Sequence, residues 1–237
     1  MVSGEKSLKR LSPDERKRRL LEKAIEYFSE EGFDGSTREL ARQMGVTQPL
    51  IYRYFCSKAD LINEVYNAVY LAHWKEDWVT DLQRRDWPLR DRLLNFYDSY
   101  TRTIFNRRWM RIFFFAGLKG LDINTRYVQR VSDHLLRPIC MERRAELGFD
   151  TELPLRQAEF DLVWMMNGIV FYQGIREHIY RLTHTFNHAF SIEVAVDMYL
   201  DKSVEVIEQS LKSDTAVLAS PASSIQQQQV LVAHDRT

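Results

Sequence analysis

The stretch that decides the fold is STRELARQMGVTQPLIYRYF, residues 36–55. On both sides of Gly45 apolar residues recur three and four positions apart, the spacing of one face of a helix. Ala41 is small, as two closely crossing helices require, and Gly45 has the backbone freedom that a tight turn between them needs. We therefore predict a helix-turn-helix whose second helix begins near Thr47.

The second helix of this segment has a polar leading edge. Pro49 falls in its first turn, where a missing backbone N–H costs little because those donors have no partner within the helix. Gln48, Pro49 and Arg53 are expected to face base edges in the major groove. No acidic residue occurs between Arg42 and Lys58, so the hydrogen-bond donors there suit phosphate oxygens. These donors are Thr47, Gln48, Tyr52, Arg53, Tyr54 and Lys58. The alternative is an ordinary helix pair joined by a glycine turn.

Three serine signals predict helix starts within the first sixty residues. Ser12, Ser36 and Ser57 are each followed three positions later by an acidic residue, the pattern of a helix N-cap. Gly32 is expected to end the first helix. Apolar periodicity predicts later helices at 89–106, 109–118, 123–147, 155–180 and 191–212, with a kink in the third at Pro138. The predicted fold class is all-α.

Length and composition fit two helical domains. A chain of 237 residues, 45% of them hydrophobic, is long enough for an amino-terminal three-helix domain and a larger carboxy-terminal helical domain. We predict a flexible basic arm at 1–11, a helix-turn-helix DNA-binding domain at 12–60 and a ligand-binding and dimerisation domain at 61–213. Residues 214–237, rich in Ala, Ser, Pro and Gln, are expected to form a disordered tail.

Charge and cysteine content limit the cellular setting. The 33 basic and 33 acidic residues cancel, but eight basic residues against three acidic ones lie between Lys6 and Lys23. A solvated helix face explains this run as well as a nucleic-acid partner does. Cys56 and Cys140 are too few for a disulfide framework, no secretory segment is evident, and the apolar stretches are shorter than the roughly 20 residues that cross a bilayer. We expect a cytoplasmic protein without a membrane partner.

The segment GVTQPLIYRYFCSKADL, residues 45–61, resembles the signature of the tetracycline-repressor (TetR) family, and the resemblance extends over residues 12–66. It implies that Thr37 and Arg38 open the second helix beside DNA and that Gln48 and Pro49 meet bases. It further implies phosphate contacts for four side chains. These are Thr47, Tyr52, Tyr54 and Lys58.

The resemblance also implies a homodimer formed by the last two long helices, about 155–180 and 191–212. Both carry more apolar residues than a single stripe needs, and surplus apolar surface indicates a partner chain. Fully buried core helices are the alternative.

Aromatic residues suggest a small-molecule site for an apolar or aromatic effector. The candidate lining residues are Tyr100, Trp109, Phe113, His134, Trp164, Asn167 and Phe171. The alternative is that these side chains are ordinary core. His184 and His188 have the spacing of two metal ligands on one helix face, but no acidic or cysteine ligand accompanies them, so no metal and no cofactor are predicted.

The function we predict is a sequence-specific transcriptional regulator, a repressor that an effector releases from its double-stranded DNA operator. Two recognition helices would lie in successive major grooves, about 34 to 36 Å apart, and the effector would change that separation. No catalytic signature is present, so we do not expect an enzyme. The alternative is a helical small-molecule-binding or interaction protein with a vestigial helix-turn-helix.

Overall fold

The computed structural model describes residues 12–182 and 187–218, with side chains through Lys212, and within these ranges it contains helices and no strand. The α-helices are α1 (Pro13–Glu31), α2 (Thr37–Met44), α3 (Gln48–Tyr54), α4 (Lys58–Val69), α5 (Asp77–Leu82), α6 (Leu89–Ile104), α7 (Arg107–Leu118), α8 (Asp122–Val131), α9 (Arg137–Glu146), α10 (Gln157–Gly174) and α11 (His188–Leu218). A 3-10 turn covers Leu71–His73, and π-helical segments cover Ser132–Leu136 and Ile175–Ile179. The all-α fold class is confirmed.

The three predicted helix starts are confirmed by their caps. The hydroxyl of Ser12 accepts from the backbone N–H of Glu15, and the Glu15 carboxylate accepts from the backbone N–H of Ser12 at 3.0 Å. Ser36 and Ser57 cap α2 and α4 through the backbone N–H groups three residues on. Gly32 ends α1 with a φ of 76°. Each cap satisfies a backbone donor that the first helical turn leaves unpaired.

The third of the later predicted helices is interrupted at Pro138. Pro138 lies in the first turn of α9, and the residues that precede α9, Ser132–Leu136, form a π-helical segment. There the N–H of Arg137 donates to the carbonyl of Ser132, five residues back. A π turn places the proline where its missing N–H and its ring do least harm to the helix. The expected kink is thus a change of helix type.

Two features depart from the sequence-based boundaries. Helix α5, only six residues long, went unpredicted because so short a segment shows little periodicity; it buries Trp78 and Leu82. Helix α11 continues to Leu218, past the expected start of the tail at 214, while residues 219–237 and the arm at 1–11 lie outside the described residues.

The chain divides into two compact units, one of 1–75, 101–129 and 174–183 and the other of 76–100, 130–173 and 184–237. The first unit therefore contains the helix-turn-helix together with α7, most of α8 and a π-helical segment. Within it, three arginines of α7 bind α1. Arg107 makes an ion pair with Glu30, and Arg111 donates to the backbone carbonyls of Ser29 and Glu30 at the end of α1. Arg108 makes an ion pair with Glu22.

The second unit is held by two neighbouring arginines of α9. Arg143 donates to the hydroxyl of Ser203 and the carbonyl of Leu200 on α11. Arg144 instead binds Glu159 on α10. Helix α9 is therefore joined to both of the last long helices. No helix in the described ranges has the length and apolarity that crossing a bilayer requires.

Candidate nucleic-acid interface

The turn between α2 and α3 is built on Gly45. Its φ of 66° lies in the left-handed region, which glycine adopts without the penalty that a Cβ brings. The N–H of Gly45 donates to the carbonyl of Arg42, and the N–H of Val46 donates to that of Ala41 at 3.0 Å. This pair of bonds is a Schellman motif. Lys23 of α1 adds a third donor, to the carbonyl of Met44 at 2.6 Å.

Most apolar residues on either side of Gly45 form the core of the motif, whereas Val46 is half-buried. Leu40, Ala41 and Met44 of α2 are buried, as are Ile51 of α3 and Phe55 after it. Because Ile51 fills the inner side of α3, the residues on either side of it face outward. The buried face thus fixes which side of α3 is available to a partner.

The predicted DNA contacts lie on or around α3 with differing exposure. Arg38, Thr47, Pro49, Tyr52 and Arg53 are exposed. Gln48, Tyr54 and Lys58 are half-buried, and Thr37 is buried. The side chain of Thr47 makes no cap bond to the start of α3, which leaves its hydroxyl outside the helix's own hydrogen bonding.

Two of these side chains meet at Thr37. Gln48 donates from Nε2 to the Thr37 hydroxyl oxygen at 2.8 Å, and the Tyr52 hydroxyl lies 3.0 Å from the same oxygen. The hydroxyl of Thr37 is thus engaged inside the motif and links α2 to both ends of the exposed face of α3. No local sequence pattern indicates these contacts, because Gln48 and Tyr52 lie 11 and 15 positions from Thr37.

Lys58 is engaged in a similar way. Its ammonium donates to the carbonyls of Phe33 at 2.6 Å and Gly35 at 2.8 Å. Both carbonyls belong to the loop between α1 and α2. Lys58 therefore fixes this loop and keeps one of its three N–H donors for another acceptor; the contact with phosphate stays a prediction.

The charges on this face are unequally compensated. Arg42 binds Glu39 through two hydrogen bonds, of 2.9 and 2.5 Å, and this guanidinium holds the pKa of the Glu39 carboxyl below its usual value. Arg38 and Arg53 make no ion pair with any residue in the described ranges. The uncompensated positive charge therefore lies at the start of α2 and along α3, where it attracts phosphate.

Residues 20–65 match the family model of the bacterial regulatory proteins of the tetR family. This part of the chain is therefore similar to the proteins of that family. The match contains α2, α3 and the buried core between them, so the turn at Gly45 and the polar face of α3 lie within the segment that is similar to this family.

Solved structures of TetR-family transcriptional regulators share the fold over most of the chain. One from Streptomyces coelicolor is 17% identical, with a TM-score of 0.56, and the alignment covers 94% of this chain and 100% of that one. Another from Pseudomonas syringae is 15% identical, with a TM-score of 0.52, covering 81% of this chain and 97% of that one. At such identities the likeness establishes a common fold beyond the residues of the family model.

The predicted effector-site residues are distributed over both units. Trp109 and Phe113 lie in the first unit, and the other five lie in the second. Trp109 stacks on Phe113 at 5.1 Å and meets Tyr70 edge-on at the same distance. In the second unit, Tyr100 is buried against other rings and Trp164 lies 6.3 Å from Phe160. His134 is exposed, Asn167 is buried and Phe171 is half-buried.

The first unit contains a cleft of about 370 Å³ that includes Trp109. Ile25 and Val69 are buried in its floor, whereas Glu22 and Arg108 at its edge are exposed and paired with each other. Its size falls in the range of small-molecule sites, about 300 to 1,000 Å³. Trp109 is the one predicted lining residue that borders this cleft, and Glu22 of α1 adds a carboxylate to its edge.

Of the two histidines with the spacing of metal ligands, only His188 lies within the described residues. His184 lies outside the described residues, and His188 begins α11. Within the described ranges no group of three or more histidine, cysteine, aspartate or glutamate side chains is arranged to hold a metal ion.

Proposed function

We propose that this protein is a cytoplasmic, sequence-specific repressor of the TetR family that binds operator DNA through α3 and is released by a small-molecule effector. The observation that carries the proposal is the face of α3, on which exposed Thr47, Tyr52 and Arg53 surround a helix held from behind by buried Ile51. A short rigid helix with donors on its outer side matches the shape and chemistry of the major groove.

The DNA-binding part is tested by retention at low salt. Arg38→Ala and Arg53→Ala remove exposed cations from the start of α2 and from α3, respectively. Affinity for any duplex should therefore fall in each variant, and the slope of its dependence on salt should become shallower by about one unit. Lys212→Ala is the matched control, because Lys212 is an exposed cation on α11. A wild-type protein that retains no duplex at low salt would overturn the proposal in favour of a vestigial motif.

A homodimer formed by α10 and α11 is the second part of the proposal. Val163, Met166 and Val170 bury one face of α10, yet Met165, Ile169 and Tyr172 are exposed on another. Helix α11 likewise exposes Phe190, Val194 and Met198. Helices that are apolar on two sides need two partners, and a symmetric second copy supplies the second one.

The dimer is tested by placing a charge on this surface. Ile169→Lys is tolerated within the protomer because the side chain is already 39% exposed, but in a dimer it would bury an unpaired cation. Sedimentation should then show monomer where the wild type is dimer. Leu118→Lys is the control, since Leu118 is 86% exposed and lies on α7.

The cleft of the first unit supports the effector part. A ligand there would contact Glu22 of α1 directly, and displacing the pair between Glu22 and Arg108 would alter the attachment of α1 to α7. Ala68 lines the cleft, so Ala68→Phe should fill it and abolish release by an effector while DNA affinity is retained. If an effector still releases Ala68→Phe from DNA, the effector must bind at a site other than this cleft.

A further inference from the structure

Three side chains of the helix-turn-helix form a row of hydrogen bonds that runs from solvent to the amide of Gln48. Tyr52, 42% exposed, has its hydroxyl 3.0 Å from that of buried Thr37. The Thr37 oxygen in turn accepts from Gln48 Nε2 at 2.8 Å. Thr37 therefore connects the hydroxyl of an exposed tyrosine with a half-buried amide.

Counting hydrogens fixes the direction of this row when DNA is bound. A phosphate oxygen only accepts, so a Tyr52 that contacts phosphate, as the family resemblance implies, donates its single hydroxyl hydrogen to it. The Tyr52 oxygen can then only accept from Thr37. Thr37, having donated its single hydrogen, must accept from Gln48, so the amide nitrogen of Gln48 faces Thr37. The amide oxygen and the second N–H of Gln48 are left for the base.

We propose that Thr37 is a positioning residue through which a phosphate contact at Tyr52 makes Gln48 select adenine and reject guanine. Adenine presents an N6 amino donor and an N7 acceptor in the major groove, which the outward carbonyl and N–H of Gln48 match. Guanine presents two acceptors, O6 and N7, so the outward carbonyl of Gln48 opposes O6. The inference rests on the proposed binding of DNA by α3 and adds the base that α3 reads.

The experiment begins with selection of bound fragments from random DNA. The base pair read by Gln48 is the one whose preference Gln48→Ala relaxes. Affinities are then compared for two operators that carry adenine or guanine at that position. We expect the wild type to prefer adenine on the order of tenfold or more, the discrimination that one bidentate contact provides.

Substitution of Thr37 tests whether the row of hydrogen bonds orients the amide of Gln48. Thr37→Val keeps the shape of the side chain without the hydroxyl, so the amide of Gln48 is free to rotate and the preference for adenine over guanine should fall to about twofold. Preferences at other base pairs should stay unchanged. Thr37→Ser retains the hydroxyl and should restore the ratio, which a purely structural defect at this buried position would not.

The two tyrosines of α3 form a matched pair. Tyr52→Phe should weaken binding to all sequences and also reduce the ratio of adenine to guanine affinities, because Thr37 no longer has to donate to Tyr52. Tyr54→Phe removes a hydroxyl outside the row and should leave the ratio unchanged. Two results would overturn the inference while leaving the DNA-binding proposal intact. One is selection of guanine at the base pair that Gln48 reads. The other is a Thr37→Val variant that keeps the wild-type ratio of adenine to guanine affinities. Failure of the wild type to retain any DNA would remove the DNA-binding proposal and this inference with it.

Discussion

The guanidinium of Arg144 and the carboxylate of Glu159 form a fully buried two-point ion pair, with nitrogen–oxygen distances of 2.7 and 2.5 Å. Arg144 also donates to the backbone carbonyls of Asp150, Leu153 and Pro154 in the loop between α9 and α10. One side chain therefore neutralises a buried carboxylate and satisfies the loop that leads into α10. This raises the pKa of Arg144 above its ordinary value, chiefly through the bonds to Glu159.

Arg144→Met should lower the free energy of unfolding by about 3 to 5 kcal/mol, because it leaves the Glu159 carboxylate buried without its counter-charge. Urea denaturation measures this loss. Lys202→Met, which breaks an exposed pair with Glu205, is the control and should cost less than about 1 kcal/mol. Equal losses for the two variants would show that burial does not set the strength of the Arg144 pair.

Two glycines should respond to alanine in opposite directions. A Cβ on Gly35 would lie 1.8 Å from the Tyr27 hydroxyl oxygen, whereas one on Gly168 would meet nothing within 4 Å. Gly35→Ala should destabilise by about 1 to 3 kcal/mol through overpacking. Gly168→Ala, in the middle of α10, should stabilise the protomer by up to about 1 kcal/mol through helix propensity. Thermal unfolding at matched concentrations measures both.

A second substitution at Tyr27 should relieve the clash that Gly35→Ala introduces. Tyr27→Phe removes the oxygen that the new methyl would strike, so adding it to Gly35→Ala should recover part of the lost stability. A double variant whose losses simply add would place the damage elsewhere in the loop.

The two cysteines should differ sharply in reactivity. Cys56 is exposed, whereas burial raises the pKa of the Cys140 thiol to about 12. Since the thiolate is the reactive form, a disulfide reagent should modify one thiol per native chain, at Cys56, from neutral pH up to about pH 9. Cys140 should react only after denaturation, and Cys56→Ser should abolish the native reaction. Two fast thiols in the native protein would contradict the burial of Cys140.

Local sequence signals predict where the helices of the helix-turn-helix begin, but they do not predict the hydrogen bonds between its side chains and distant loops. Ser12, Ser36 and Ser57 act within four residues of themselves, so the helix starts could be found from the sequence. The engagement of Lys58 with the carbonyls of Phe33 and Gly35 depends on chain segments more than twenty residues apart, which no local pattern encodes. The same distance explains why the sequence indicates a phosphate contact for Lys58 but not its hydrogen bonds to this loop.

The proposed effector site is harder to predict from sequence, because aromatic residues occur both in protein cores and in the lining of pockets. Trp109 does both, since it packs against Phe113 and Tyr70 and also borders the cleft. Only the arrangement of α1 beside α7 brings Glu22 to the same cleft. Glu22 and Arg108 are 86 residues apart in sequence, so the periodicity of a single helix cannot reveal that they border one cleft.

Arg111 should contribute more to the attachment of α1 than its neighbour Arg108. Arg111 donates to two backbone carbonyls at the end of α1, where the helix dipole also favours a cation, and its side chain is 20% exposed. Arg108 and Glu22 form an exposed pair, at 47% and 59%, of a kind that contributes about 0 to 1 kcal/mol.

We therefore expect Arg111→Met to lower the free energy of unfolding by about 2 kcal/mol, because charged hydrogen bonds are lost and two carbonyls of α1 are left unpaired. Arg108→Met, on the same helix, should cost under about 1 kcal/mol. Hydrogen exchange adds a local measurement, since the amides in the last turns of α1 should lose protection in Arg111→Met but keep it in Arg108→Met. If both variants kept that protection, the bonds from Arg111 would not be what holds the end of α1.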